Sequence, residues 1–163
     1  MQLQGSCHCG RVSFRLESPH PYPFCLCYCS ICRKTAGGGG YAINVGGEFS
    51  TLEVSGEENL TVYQVETEDA ASGKTVQSPA KRHFCRVCGS ALWVWDSRWP
   101  ELVHPFASAI DARLPVPLER THMMLASKAP WVEVHAGPDD RKFDNYPDES
   151  LAQWHERQGL TEA

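Results

Sequence analysis

Two short segments, Cys7-His8-Cys9-Gly10 and Cys85-Arg86-Val87-Cys88-Gly89, constrain this chain more than anything else in it. Each places two thiols beside a glycine, which permits the left-handed turn that folds backbone toward the sulfurs. Residues i and i+2 of a strand face the same way, so Cys7 and Cys9 form one half-site, and Cys85 and Cys88 form another. A tetrahedral zinc–thiolate site needs sulfurs ~3.8 Å apart, from Zn–S bonds of ~2.3 Å. Four thiolates close a structural zinc site. Its halves then meet across about 75 intervening residues, a loop whose closure by metal stabilises the domain. The plainer alternative is reduced cysteine buried as a small hydrophobe; two Cys-Gly pairs in one chain favour the shared metal. His8, in the middle of a strand-like triplet, points away from the sulfurs beside it.

The other four cysteines crowd into FCLCYCSICRK, residues 24–34. If Pro23 to Cys29 is extended, Cys25 and Cys29 lie ~13 Å apart at ~3.3 Å per residue. Cys27, Cys29 and Cys32 converge more easily, because Ser30 and Ile31 begin a turn that returns Cys32. Three protein ligands leave one coordination position open, the mark of a catalytic zinc. Cys25 reads as a strand residue packed near the site, with a fourth-ligand role still open. An open three-thiolate zinc favours a soft substrate, and the reading points to thiols.

The rest of the chain predicts one mostly β domain. Val12, Phe14 and Leu16 alternate with polar neighbours, as do Tyr41, Ile43 and Val45, then Leu60 and Val62. In Ala91–Asp96, Trp93 and Trp95 are expected on one face, with Leu92 and Val94 on the other. This is the period-2 signal of strands. Helix is expected only from Ser30, as cap, to Gly37, and from Pro147 to Gln158 before Gly159. Glu66 to Pro79 reads as a polar loop or hairpin tip. With 163 residues, 42% hydrophobic and 21% charged, the composition is that of an ordinary globular protein. A net charge of −5 lacks the basic footprint of a nucleic-acid binder. No signal-peptide pattern or membrane-length apolar run is present. A cytoplasmic protein is therefore expected, a setting that turns cysteines from disulfides toward metal.

GSCHCGRVSF, CYCSICRKTAG, RHFCRVCGSALW and THMMLASKAPWVEV together resemble the zinc proteins related to glutathione-dependent formaldehyde-activating enzyme and centromere protein V. The match spans about residues 5–135 in the family's order. The resemblance implies a β-tent-like fold within a single domain over 1–163. It implies two Zn2+ per chain, with Cys7, Cys9, Cys85 and Cys88 structural and Cys27, Cys29 and Cys32 catalytic. It also implies a carbon–sulfur lyase that adds formaldehyde to glutathione, forming S-(hydroxymethyl)glutathione. The alternative is a non-catalytic zinc module that binds glutathione or a protein. Tyr28 stands where the family often has His, and GGGGYAIN replaces a differently built loop.

Other candidates carry less. Arg33 and Lys34 can receive a substrate carboxylate, but a solvated face is the commoner fate of such residues. Gly37–Gly40 can hold a peptide-like substrate through N–H groups, without any phosphate-loop pattern. His122 and Asp111 are candidates for proton transfer, though neither shows a positioned partner. Trp131 is expected as a core aromatic that walls the pocket.

Overall fold

The alternation around Phe14 and Leu16 becomes the strand Ser13–Glu17, whose apolar residues are buried and whose polar residues face water. It belongs to a computed structural model that describes residues 1–68 and 72–160. In chain order the strands are β1 (Gln2–Ser6), β2 (Ser13–Glu17), β3 (Phe24–Cys27), β4 (Ala42–Asn44), β5 (Gly47–Glu48), β6 (Glu53–Ser55) and β7 (Leu60–Tyr63). After them come β8 (Glu66–Glu68), β9 (Thr75–Gln77), β10 (Ala80–Cys85), β11 (Ala91–Asp96), β12 (Leu102–Pro105), β13 (Arg120–Met123) and β14 (Arg141–Lys142). Among the described residues there are two short α-helices, α1 (Ser30–Ala36) and α2 (Leu151–Arg157). The expected mostly β domain with few helices is what forms.

Three sheets build the body. One is ordered β1-β2-β6, a second β5-β12-β11-β10-β7, and a third β14-β13-β3-β4. The main core lies where the first meets the second, with Leu3, Phe14 and Leu16 against Leu92, Trp93 and Val103. Phe14 and Trp93 meet edge to face, their centroids 5.3 Å apart, the arrangement that aromatic quadrupoles favour. The expected two-faced split of Ala91–Asp96 is only partly realised, since Leu92 and Trp93 are both buried. The register slips between His83 and Phe84, leaving Leu92 without a partner on β10, so Leu92 and Trp93 both join the main core while Val94 borders a different cluster.

The third sheet carries β3 between an antiparallel neighbour, β4, and a parallel one, β13. Leu26 and Tyr28 pack with Ala129 and Val132. A separate small core gathers Cys27, Cys32, Ala42 and Phe106. The polar stretch 66–79 holds the hairpin β8–β9; residues 69–71 lie outside the described part.

Both helix expectations shift at their N-termini. The cap of α1 is Cys29, not Ser30: its sulfur accepts the Cys32 N–H at 3.3 Å. α2 begins at Leu151 rather than Pro147. Ser150 and Gln153 form a reciprocal capping box there, which satisfies two otherwise orphaned donors. Asp148 and Glu149 precede the helix and pair with Arg141 instead. Gly159, at φ 67°, ends the last turn as expected.

Candidate functional site

Cys7 and Cys85 occupy equivalent places in two similar turns. The Cys7 N–H donates to Val12 O and the Cys7 carbonyl accepts the Gly10 N–H, both at 2.9 Å. Cys85 N–H donates to Ser90 O at 2.9 Å, and its carbonyl accepts Gly89 N–H at 2.8 Å. Gly10 and Gly89 have φ of 70° and 75°, a conformation that side-chain-bearing residues avoid. The two turns are tied by His8 N–H donating to Ser90 Oγ at 3.1 Å.

Their sulfurs meet as the spacing predicts. Cys7 and Cys9 are 3.5 Å apart, and Cys9 and Cys85 are 3.7 Å apart. All four sulfurs, with Cys88, lie within 4.8 Å of one another. These separations suit a tetrahedral zinc with Zn–S bonds of ~2.3 Å. Cys7 and Cys85 are buried while Cys9 and Cys88 are exposed, so the cluster roots in the main core and opens at the surface. The Ser90 hydroxyl and backbone N–H, both donating to its sulfur, hold the Cys88 thiol down to about 5. His8 is exposed and outside the cluster, as expected.

The second cluster comes from one continuous segment. Cys27 ends β3, Cys29 caps α1, and Cys32 lies in its first turn. This strand–turn–helix path brings all three sulfurs within 4.8 Å of one another. Cys25 is not among them; burial pushes its thiol up to about 12, and it packs as a neutral strand residue. Hydrogen bonds from the Cys27 and Cys32 thiols, then backbone N–H groups, pull Cys29 strongly toward thiolate. Cys27 is pushed up by its bond to Cys29. Cys32 rises to about 11: the Cys27 bond pulls it down, but the Cys29 bond and burial outweigh that, while the Arg82 guanidinium favours its thiolate. Three soft sulfurs sharing charge make a donor set fit for zinc.

What surrounds this cluster was less legible. His122 is 0% exposed, yet it has the partners that its sequence neighbours do not reveal. Its Nδ1 meets the Tyr28 hydroxyl at 2.9 Å, and its Nε2 meets Asp140 Oδ2 at 3.3 Å. Asp140 also accepts the N–H groups of Gly137 and Arg120, each at 2.8 Å. Tyr28 N–H donates to Met123 O at 3.0 Å. This buried chain anchors Tyr28 inward, so the flanking cysteines of the extended triplet turn to the other side.

Several expectations fail here. Asp111 is remote from such a relay; it accepts from Ser6 Oγ at 2.6 Å and so steadies the approach to Cys7. Trp131 is 64% exposed rather than in the core; its neighbour Val132 is the buried residue, filling the space beside Gly40. Lys34 is solvated as expected, but Arg33 is half-buried with Nε enclosed and unpartnered. In the glycine run, Gly40 N–H donates to Gly37 O at 3.0 Å, closing a turn. Sequence reasoning missed Arg82, a buried cation whose charge favours the Cys32 thiolate.

Fold and clusters together define a class: a small β protein with one four-thiol and one three-thiol cluster of metal-ligand geometry. The family model described as glutathione-dependent formaldehyde-activating enzyme matches residues 2–123. The chain belongs to that family. A curated protein of Halomonas elongata, provisionally named a glutathione-dependent formaldehyde-activating enzyme, is 61% identical over 162 residues, 99% of each chain. A crystal structure of a Rhodobacter sphaeroides protein superposes with a TM-score of 0.53 at 32% identity, covering 69% of this chain and 91% of the other.

Proposed function

We propose that this protein is a zinc-dependent carbon–sulfur lyase-type enzyme that joins formaldehyde to glutathione, as S-(hydroxymethyl)glutathione synthase would. In that reaction a C–S bond forms between the thiol sulfur and the aldehyde carbon. The thiol proton ends on the former carbonyl oxygen as a hydroxyl. Cys7, Cys9, Cys85 and Cys88 would hold a structural zinc, and Cys27, Cys29 and Cys32 a catalytic one, two Zn2+ per chain. The second zinc would supply a Lewis acid with an open position, which favours the thiolate form of a thiol.

The chain's own residues supply the setting. Cys27 and Cys32 are buried beside Ala42 and Phe106, with Val94, Met123 and Met124 packed around them. These apolar walls exclude water from one side and strengthen electrostatic interactions inside. The Tyr28–His122–Asp140 chain holds the turn that carries the ligands. Free thiols throughout accord with a cytoplasmic setting. Among the described residues, no helix is long and apolar enough to cross a membrane.

One observation carries the reading: three sulfurs converge, and no fourth protein ligand joins them among the described residues. The test follows formaldehyde and glutathione by NMR with and without the zinc-loaded protein. Faster adduct formation is expected. An unchanged rate with retained glutathione binding would favour a non-catalytic binding module.

A further inference from the structure

Arg82 is 7% exposed, and its Nε and Nη1 are enclosed without any hydrogen-bond partner. No salt bridge or side-chain hydrogen bond holds it among the described residues. A buried, unpaired guanidinium is costly to keep. Asp96 feels the Arg82 charge but makes no hydrogen bond or salt bridge to it among the described residues. Asp96 is taken by Arg98, through Nε to Oδ1 at 3.0 Å and Nη2 to Oδ2 at 2.6 Å.

The sheet register shows where this charge lies. Arg82 pairs with Val94 across β10 and β11, so their side chains share a face. Val94 packs directly on the core formed by Cys27, Cys32 and Phe106. Arg82 therefore shares the face of the central sheet that covers the three-cysteine cluster. Its influence on Cys32 has the sign expected of a cation nearby.

We propose that Arg82 is the group that receives the thiolate of an acidic thiol brought to the three-cysteine cluster. This rests on the thiol-binding reading above and adds the residue that selects the charged form. The substrate sulfur adds negative charge to a cluster already rich in it, inside a partly apolar enclosure. A fixed guanidinium at that place offsets the added charge and supplies N–H donors. Arginine suits the task because it cannot lose its proton. A substrate carboxylate is the less fitting occupant, since it would sit several bonds from the sulfur, toward the solvated side where Lys34 lies.

The test uses the full-length, zinc-loaded protein and Arg82→Met, with glutathione binding measured by calorimetry. Metal content and thermal stability are recorded without thiol. Arg82→Met is expected to keep both zinc equivalents and lose no stability, because it removes a buried guanidinium whose Nε and Nη1 make no hydrogen bond. A merely structural arginine would instead destabilise when removed. Glutathione Kd should rise about 10- to 100-fold, the range for losing a charge-assisted hydrogen bond. Arg82→Lys should recover part of it. Glutathione esterified at its carboxylates should show the same penalty, and S-methylglutathione should show none.

Equal glutathione affinity in wild type and Arg82→Met would overturn the inference alone. A penalty that persists with S-methylglutathione and vanishes with the ester would overturn the thiolate in favour of a carboxylate. A wild-type chain that binds no glutathione at all would remove the thiol-binding reading and this inference with it.

Discussion

The two cysteine clusters use the same ligand atom in opposite ways. The four-sulfur cluster joins turns at residues 7–12 and 85–90, and two of its sulfurs sit in the main core. The three-sulfur cluster is drawn from six consecutive residues and borders a separate small core. One fastens distant parts of the chain, while the other is local and asks little of the fold. The difference separates a site whose loss should unfold the protein from one whose loss should only silence it.

Removing one sulfur from each tests that separation most strongly. Cys85→Ser should leave the chain largely unfolded by circular dichroism. A structural zinc contributes about 10–16 kcal/mol in small domains, comparable with the entire ~5–15 kcal/mol stability of a domain. Cys29→Ser should keep the native spectrum while losing one zinc equivalent and glutathione binding. Two folded variants with equal metal content would erase the contrast. A smaller effect is expected from Tyr28→Phe, which leaves a buried His122 nitrogen unpartnered. Chemical denaturation should register a loss of about 1–3 kcal/mol, with the four-sulfur cluster still loaded.

Acid should act on a region that belongs to neither cluster. Arg157, then the Trp154 indole, hold the Glu119 carboxyl below its ordinary value against the effect of burial. A depressed folded value means the stabilisation is complete above about pH 4.5. It fades as pH falls from there through the folded value. The α2 anchor should therefore loosen below about pH 4.5, seen as a fluorescence change present in wild type and absent in Trp154→Phe. The smallest effect belongs to Cys25→Ala, expected to retain both zinc equivalents and glutathione affinity. Loss of a zinc equivalent would return Cys25 to the ligand set.

The clusters were readable because their geometry is local. Cys-Gly turns and the Cys-x-Cys-x-x-Cys run specify where sulfurs go from a few neighbouring dihedral angles. The surroundings were not, because their partners are distant: Tyr28 and His122 are 94 positions apart. The same holds for Arg82, which looks like an ordinary strand cation until the sheet register turns it toward Cys32. Trp131 misled because hydrophobicity alone does not say which of two adjacent apolar residues turns inward; Gly40 makes room for Val132. Even the helix cap moved by one residue, since a thiolate can replace a hydroxyl as the acceptor.

The tie between the turns at 7–12 and 85–90 also imposes an order of events on synthesis. Cys7 and Cys9 leave the ribosome early and must wait until residue 88 follows. At about 5–20 residues per second, that interval is roughly 4–16 seconds. During it the nascent N-terminal half exposes a pair of unsatisfied thiols, while Cys27, Cys29 and Cys32 already form a complete set. If both clusters take metal, the local one would be offered it first, and the cluster joining residues 7–12 to 85–90 last.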